Sequence, residues 1–282
     1  MPRPHQYRFA RLHLMGAVND RRSYVREVLQ DRVTIERLPF RYTFIDARTI
    51  SLDNEGFIFG RLAKYRVSDE VEVLDEVNRQ IRDNTLENSV VASPAFCLHL
   101  ESWMLAYRPV SGHLPDRQFR SIFEELIEKK HEGFFVQATI EVISDRITVY
   151  EAIEKMRMIN SLEVRLHPSN PTNDPIWAGI DGRIKDMNAH EYQQSLDAPS
   201  GESLNKNALK KEDIYLQGIP MAADGYGSAA VSGELDGQQR TVSTEGSPVT
   251  VAVDDLEQEP ESIVQQLLRM FRRLWDRKNN GA

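Results

Sequence analysis

Between residues 226 and 243 the chain reads YGSAAVSGEL, then Asp236-Gly237, then QQRTVS. Two alternating segments joined by that dipeptide form one of the strongest hairpin signals a sequence can carry, because Asp and Gly accept the positive φ angles of a two-residue turn. Ala229, Val231 and Leu235 share one face of the first segment. After Pro248, Val249, Val251 and Val253 alternate again and predict a third strand, so residues 222–253 read as a short meander entered through a small-residue turn. Within that turn, Asp224–Gly227 (DGYG) has two glycines but neither the GxGxxG nor the GxxxxGK[ST] pattern that surrounds phosphates, and it reads as a bend leading into a strand.

The rest of the chain alternates between both periodicities. Residues 7–14 predict a strand and residues 21–30 a helix with Tyr24, Val25, Val28 and Leu29 on one stripe. Residues 41–51 and 56–65 read as a hairpin about Asp53-Asn54. A charged helix is expected over about 70–84, buried strands over 93–100 and 103–108, and a helix over 115–130 with Phe119, Ile122, Phe123, Leu126 and Ile127 inward. Residues 134–144, 149–158 and 161–166 then suggest a strand, a helix and a strand in one β–α–β unit. The Pro- and Asn-rich segment 167–175 is a loop. Helices at 176–187 and 209–216 and a strand at 192–196 follow, and a last amphipathic helix runs from Pro260 through Asp276. The expectation is an α+β fold of two mixed modules with antiparallel-rich sheets and packed helices. Their boundaries fall at residues 1–166 and 167–258, and the C-terminal helix occupies 259–282.

Composition excludes several function classes. A single cysteine, Cys97 in the apolar run PAFCLHL, rules out an intramolecular disulfide and any multi-cysteine metal site. The seven histidines are dispersed without metal-ligand spacing, and His99 reads as a hydrogen-bonded core residue, so neither metal nor cofactor is expected. No GxSxG elbow marks a serine hydrolase, and Glu128-Lys129-Lys130, the one carboxylate–lysine string resembling a nuclease motif, falls at a helix end. No apolar run approaches the ~18 residues a membrane span needs, and no export signal opens the chain, which predicts a cytoplasmic protein.

Charge is what remains to carry function. The net charge is −8, yet residues 1–50 hold ten arginines against five acids, and residues 261–282 hold five basic residues against two acids. The 210 residues between carry −16. Arginine's planar fork binds phosphate bidentately and stays charged at any physiological pH. The candidate nucleic-acid contacts are therefore Arg8, Arg11, Arg21, Arg22 and Arg26, with Arg3 before them, and Arg269, Arg272, Arg273 and Arg277 on the last helix. On that helix Leu267, Phe271, Leu274 and Trp275 form an apolar stripe expected to meet either the chain's own core or a second copy.

Two segments carry a family resemblance: LEVRLHPSNPTND at 162–174, continuing through Trp177 and Asn188, and AADGYGSAAVSGELDGQQRTVSTEGSPV at 222–249. They resemble uncharacterised bacterial proteins of mobile elements and phage-defence loci. The order of elements also resembles phage exclusion proteins of the Rex A type. The resemblance implies a non-enzymatic cytoplasmic protein that binds duplex DNA with little sequence preference as a homodimer. It transfers no catalytic residue. Two alternatives stand beside it: a subunit whose acidic middle contacts a basic protein partner from the same operon, and a diverged metal-dependent nuclease whose carboxylates converge only in the fold.

Overall fold

Apolar alternation and helical stripes resolve, in a computed structural model, into a chain described over residues 4–16, 18, 20–75, 79–130, 136–169, 174–206, 217–255 and 258–276. In chain order the elements are β1 (His5–Gly16), α1 (Arg21–Gln30), β2 (Thr34–Arg37), β3 (Phe40–Leu52), β4 (Glu55–Asp75), β5 (Gln80–Ala92), β6 (Ala95–His99) and β7 (Met104–Tyr107). They continue as α2 (Asp116–Lys129), β8 (Val136–Val142), α3 (Arg146–Lys155), β9 (Met158–Leu166), α4 (Ala178–Asp186) and β10 (Tyr192–Asp197). The last are α5 (Gly218–Ala223), β11 (Gly227–Leu235), β12 (Gln238–Ser243), β13 (Thr250–Val253) and α6 (Pro260–Asp276). This is an α+β fold. No helix among the described residues is long and apolar enough to cross a membrane.

The chain divides into two units. One comprises residues 14–100 and 107–139. In it β4 pairs antiparallel with β3, β5 and β6, and β2 extends the sheet from β3. Helix α1 starts at Asp20, whose carboxylate accepts the amides of Arg22 and Ser23, each at 3.1 Å. Tyr24 on α1 donates to the Ile127 carbonyl of α2 at 2.6 Å. Phe44, Phe96 and Phe123 meet edge to face with centroids 4.8–5.6 Å apart, the geometry that favours aromatic quadrupoles. Cys97 is fully buried there, and burial raises its thiol pKa well above the ordinary range.

The other unit comprises residues 1–13, 101–106 and 140–282. Its four-stranded sheet runs β10-β9-β11-β12, each neighbouring pair antiparallel. Beneath it lies a core of fully buried side chains including Met156, Leu162, Leu166, Trp177, Ile184, Met221 and Tyr226. A second strand layer pairs β13 with the start of β1, from His5↔Val253 to Arg8↔Thr250. Helix α6 lays its stripe on this layer, with Phe271 edge-on to Phe9 at 5.2 Å.

Three expectations are corrected. The described residues of 70–84 form no helix, since β4 and β5 pair from Lys64↔Ala92 to Asp75↔Gln80. The valines at 67, 71 and 73 are β-branched and fall at period two, which suits an extended strand better than a helix. The meander stops at two strands: a 3-10 turn at Thr244–Gly246 redirects the chain, and β13 leaves to pair with β1. Residues 136–166 build no β–α–β unit, because β9 takes β10 and β11 as its partners while β8 pairs with β1. Sequence pattern identified β8, β9 and β13 as strands but held no information about which long-range partner each would take. The helix expected at 209–216 lies outside the described residues.

Candidate functional site

The arginines expected to meet nucleic acid are dealt out very differently by the fold. Arg11 is 2% exposed in β1, and its donors go to its own chain: Nε to the Asp224 carbonyl at 3.1 Å and Nη1 to the Ser102 carbonyl at 2.6 Å. It is a core residue and not a surface contact. Arg8 is partly buried beside Thr250. Arg22 and Arg26 are exposed on α1 and Arg21 is partly so, all in the other unit. On α6, Arg269 and Arg273 are exposed one helical turn apart with no ion pair among the described residues, and Arg272 is partly buried. Arg3 and Arg277 lie outside the described residues. Leu267, Phe271 and Leu274 are buried in the chain's own core and Trp275 is partly buried.

The densest polar chemistry is gathered elsewhere, around the DGYG turn. Helix α5 ends at Ala223, and the chain must reverse at once to enter β11. Gly225 (φ +79°) and Gly227 (φ +140°) make that reversal, in backbone regions that L residues rarely adopt. Gly227 opposes Leu166 so closely that a Cβ would sit 1.9 Å from the Arg165 carbonyl oxygen. The pairing of β9 with β11 thus joins the two segments that carry the family resemblance.

Asp224, nearly buried, accepts from Arg146 Nε at 2.9 Å, from Arg146 Nη2, and from Trp177 Nε1 at 2.9 Å. The same Nη2 reaches the fully buried Asp174 at 2.5 Å, while the other oxygen of Asp174 accepts the Ile176 amide. Burial alone would lower the Arg146 pKa, but hydrogen bonds and charge from Asp224 and then Asp174 outweigh it and raise it. One guanidinium therefore sits between two carboxylates, its charge over-compensated. Next to it Arg11 stacks on the Tyr226 ring at 4.4 Å, and Trp177 meets the same ring at 5.2 Å.

His13 donates from Nε2 to the Gly225 carbonyl at 2.6 Å, and its ring lies 5.7 Å from that of His167. His167 Nε2 faces the Glu141 carboxylate at 3.6 Å, and the His167 amide is held by the Tyr226 carbonyl at 2.9 Å. Desolvation, reinforced by the charges of His167 and Arg11, lowers the His13 pKa to about 4 against the pull of Gly225 and Glu141. Glu141 is pulled below the ordinary range because neighbouring His167, His13 and Arg165 outweigh the upward push of its burial.

These groups do not compose a recognisable reaction centre. Ser169 Oγ donates to Asp181 at 2.6 Å and accepts from Lys185 at 2.8 Å, the letters of a serine–lysine dyad. Lys185 is itself 2.7 Å from Asp181, so it is a paired cation and not a base. Among the described residues no three His, Cys, Asp or Glu side chains are placed to hold a metal ion. The cluster is a keystone that fixes the α5–β11 turn to β1, α3, His167 and the segment Asp174–Trp177.

A stability consequence follows from His13. The imidazole stays neutral in the fold down to about pH 4 but takes a proton near 6.5 once exposed, so the unfolded chain binds more protons between those values. Stability is fully present above pH 6.5 and falls as the pH drops toward 4, by about 2–3 kcal/mol from this group given its partial exposure. Urea titrations across pH 7 to 4 check this. His13→Gln, which keeps a donor for Gly225 without an ionisable ring, should flatten the slope, and an unchanged slope removes His13 as its source.

Finally, α6 borders a cleft of about 500 Å³ lined by residues of α3, the 246–250 segment and α6, including Arg273 and Met270. Legibility of these sites differed. The α6 arginines are visible as letters on a helical wheel, whereas Asp174 and Trp177 stand 50 and 47 residues before Asp224 in the sequence. The only sequence signal for the hub was the pair of glycines after a lone aspartate. A family model described as a domain of unknown function, DUF4747, matches residues 31–272. No curated protein matches the chain.

Proposed function

We infer, starting from a chain that belongs to the DUF4747 family, that it acts without catalysis as a nucleic-acid-binding protein, working on duplex DNA with little sequence preference. The observation that supports this reading is the pair Arg269 and Arg273, exposed and without ion pairs among the described residues on the outward side of a helix whose other side is buried. Two other guanidiniums of the same unit, those of Arg11 and Arg146, are by contrast spent internally. An exposed arginine pair of this kind displaces condensed counterions from a phosphate backbone, which supplies affinity even to a protein of net charge −8 because screening confines the interaction to the local surface. The proposed setting is cytoplasmic phage exclusion by a homodimer, a setting supported by the likeness of residues 162–174 and 222–249 to proteins of defence loci.

Anisotropy of a labelled random duplex across a salt series tests the reading. Binding at low salt should fall steeply with added salt, and Arg269→Ala combined with Arg273→Ala should reduce the log–log slope by about two. Absence of binding at low salt, or a flat salt dependence, overturns it.

One observation favours a second reading, contact with a basic protein partner. The β4–β5 ribbon over residues 67–75 and 80–92 carries six acids against one arginine in its sequence, and Val67, Ile81, Leu86 and Val90 are exposed on it. Purification from the native operon distinguishes the two: a stable partner that is itself displaced by DNA supports this second reading.

A further inference from the structure

We propose that the cleft beside α6 is a nucleotide seat, occupied by a free mononucleotide or by the unpaired end of a strand. This rests on the nucleic-acid reading and names what that surface takes hold of. The cleft's volume, about 500 Å³, falls within the range of small-ligand sites, roughly 300–1,000 Å³. Its walls are fastened by main-chain bonds: Asp145 N–H to the Ser247 carbonyl at 3.0 Å, Val249 N–H to the Ile143 carbonyl at 2.8 Å, and Phe9 N–H to the Val249 carbonyl at 3.1 Å. The site is therefore formed before any ligand arrives, which spares the cost of ordering it.

Its chemistry is mixed in a way that selects. Arg273 contributes a guanidinium, Asp145 a carboxylate, and Thr148 and Ser247 hydroxyls, while Met270 and Pro248 present apolar surface. Asp145 uses one oxygen to cap α3 through the Thr148 amide at 3.1 Å. A bare anion would gain Arg273 but meet Asp145 as repulsion. A nucleotide has both needs answered: its phosphate pairs with Arg273, its sugar hydroxyls or base amine donate to Asp145, and its base covers Met270 and Pro248. Arg269, four residues or about 6 Å of helix rise before Arg273, stands where the next phosphate of a strand would follow.

The full-length protein is titrated with AMP, with a 5′-phosphorylated single-stranded pentanucleotide and with a blunt random duplex. The proposal expects AMP or the pentanucleotide to bind, and Ser247→Trp, which fills the cleft, to weaken that binding at least ten-fold while leaving the duplex isotherm unchanged. Arg273→Gln at an exposed helical position gives a second route, with loss of AMP or pentanucleotide binding expected at an unaltered melting temperature. AMP binding distinguishes a free-nucleotide site, whereas binding of the pentanucleotide alone identifies a strand end. Duplex binding without either ligand, or ligand binding unmoved by both variants, overturns the seat and leaves the surface reading intact. Failure of all three probes overturns both.

Discussion

Asp224→Ala is expected to destabilise the protein by about 3–5 kcal/mol, the cost of leaving a buried charge without its partner. The substitution takes away the acceptor for two Arg146 nitrogens and for the Trp177 indole, leaving Asp174 as the one remaining counter-charge, among the described residues, of a guanidinium that is mostly shielded from water. It also loosens the turn whose carbonyls hold Arg11 and His13. Chemical denaturation of Asp224→Ala, Arg146→Met and the double variant measures the coupling. Each single change should cost more than half of what the double change costs, because the second removes a charge that the first has already orphaned. Strict additivity would mean that the two residues do not act as one buried unit.

Gly227→Ala should be at least as severe, above about 4 kcal/mol or enough to prevent folding. The expectation has two independent causes: a φ of +140° that alanine resists, and a methyl group directed to within 1.9 Å of the Arg165 oxygen on the paired strand. Backbone at that distance cannot swing aside as a flexible side chain would. Gly237→Ala provides the comparison, since it has a positive φ of +74° but no atom within 4 Å of the added carbon, and should cost only about 1–2 kcal/mol. Equal midpoints in urea for the two variants would show that close approach of the strands is not what requires glycine at 227.

What the sequence displayed well was anything set by neighbours along the chain. The 21–30 helix appears with Tyr24, Val25, Val28 and Leu29 buried as their spacing required, α6 runs from Pro260 to Asp276, and Asp236-Gly237 joins β11 to β12. Charge misled at residues 70–84, where acids between valines resembled a solvated helix although the period-two valines already described a strand. Pairing partners were illegible for a different reason. Val249, Val251 and Val253 look the same whether they complete a meander or cross to β1, and that choice is made by residues some 240 positions away. The hub was hidden likewise, since Arg146, Asp174 and Asp224 become one network only after β9 and β11 align. Arg11 shows the converse error: its letter suggested a phosphate ligand, and its position in a strand flanked by Ala10 and Leu12, both buried, was the better guide.

The junction of β1 with β13 imposes an order on synthesis. Tyr7 donates to Asp255 across 248 positions of sequence, at 2.8 Å, and residues 5–8 find their β partners only at 250–253. At translation rates of about 5–20 residues per second, that edge waits tens of seconds for its complement while residues 14–139 already have most of their own unit in hand. Strand β1 is thus made long before its partner β13 and is among the last strands completed. Until the ribosome delivers residue 253 it offers open backbone to whatever chain is nearby, which makes this edge the place where nascent copies are most exposed to pairing with one another.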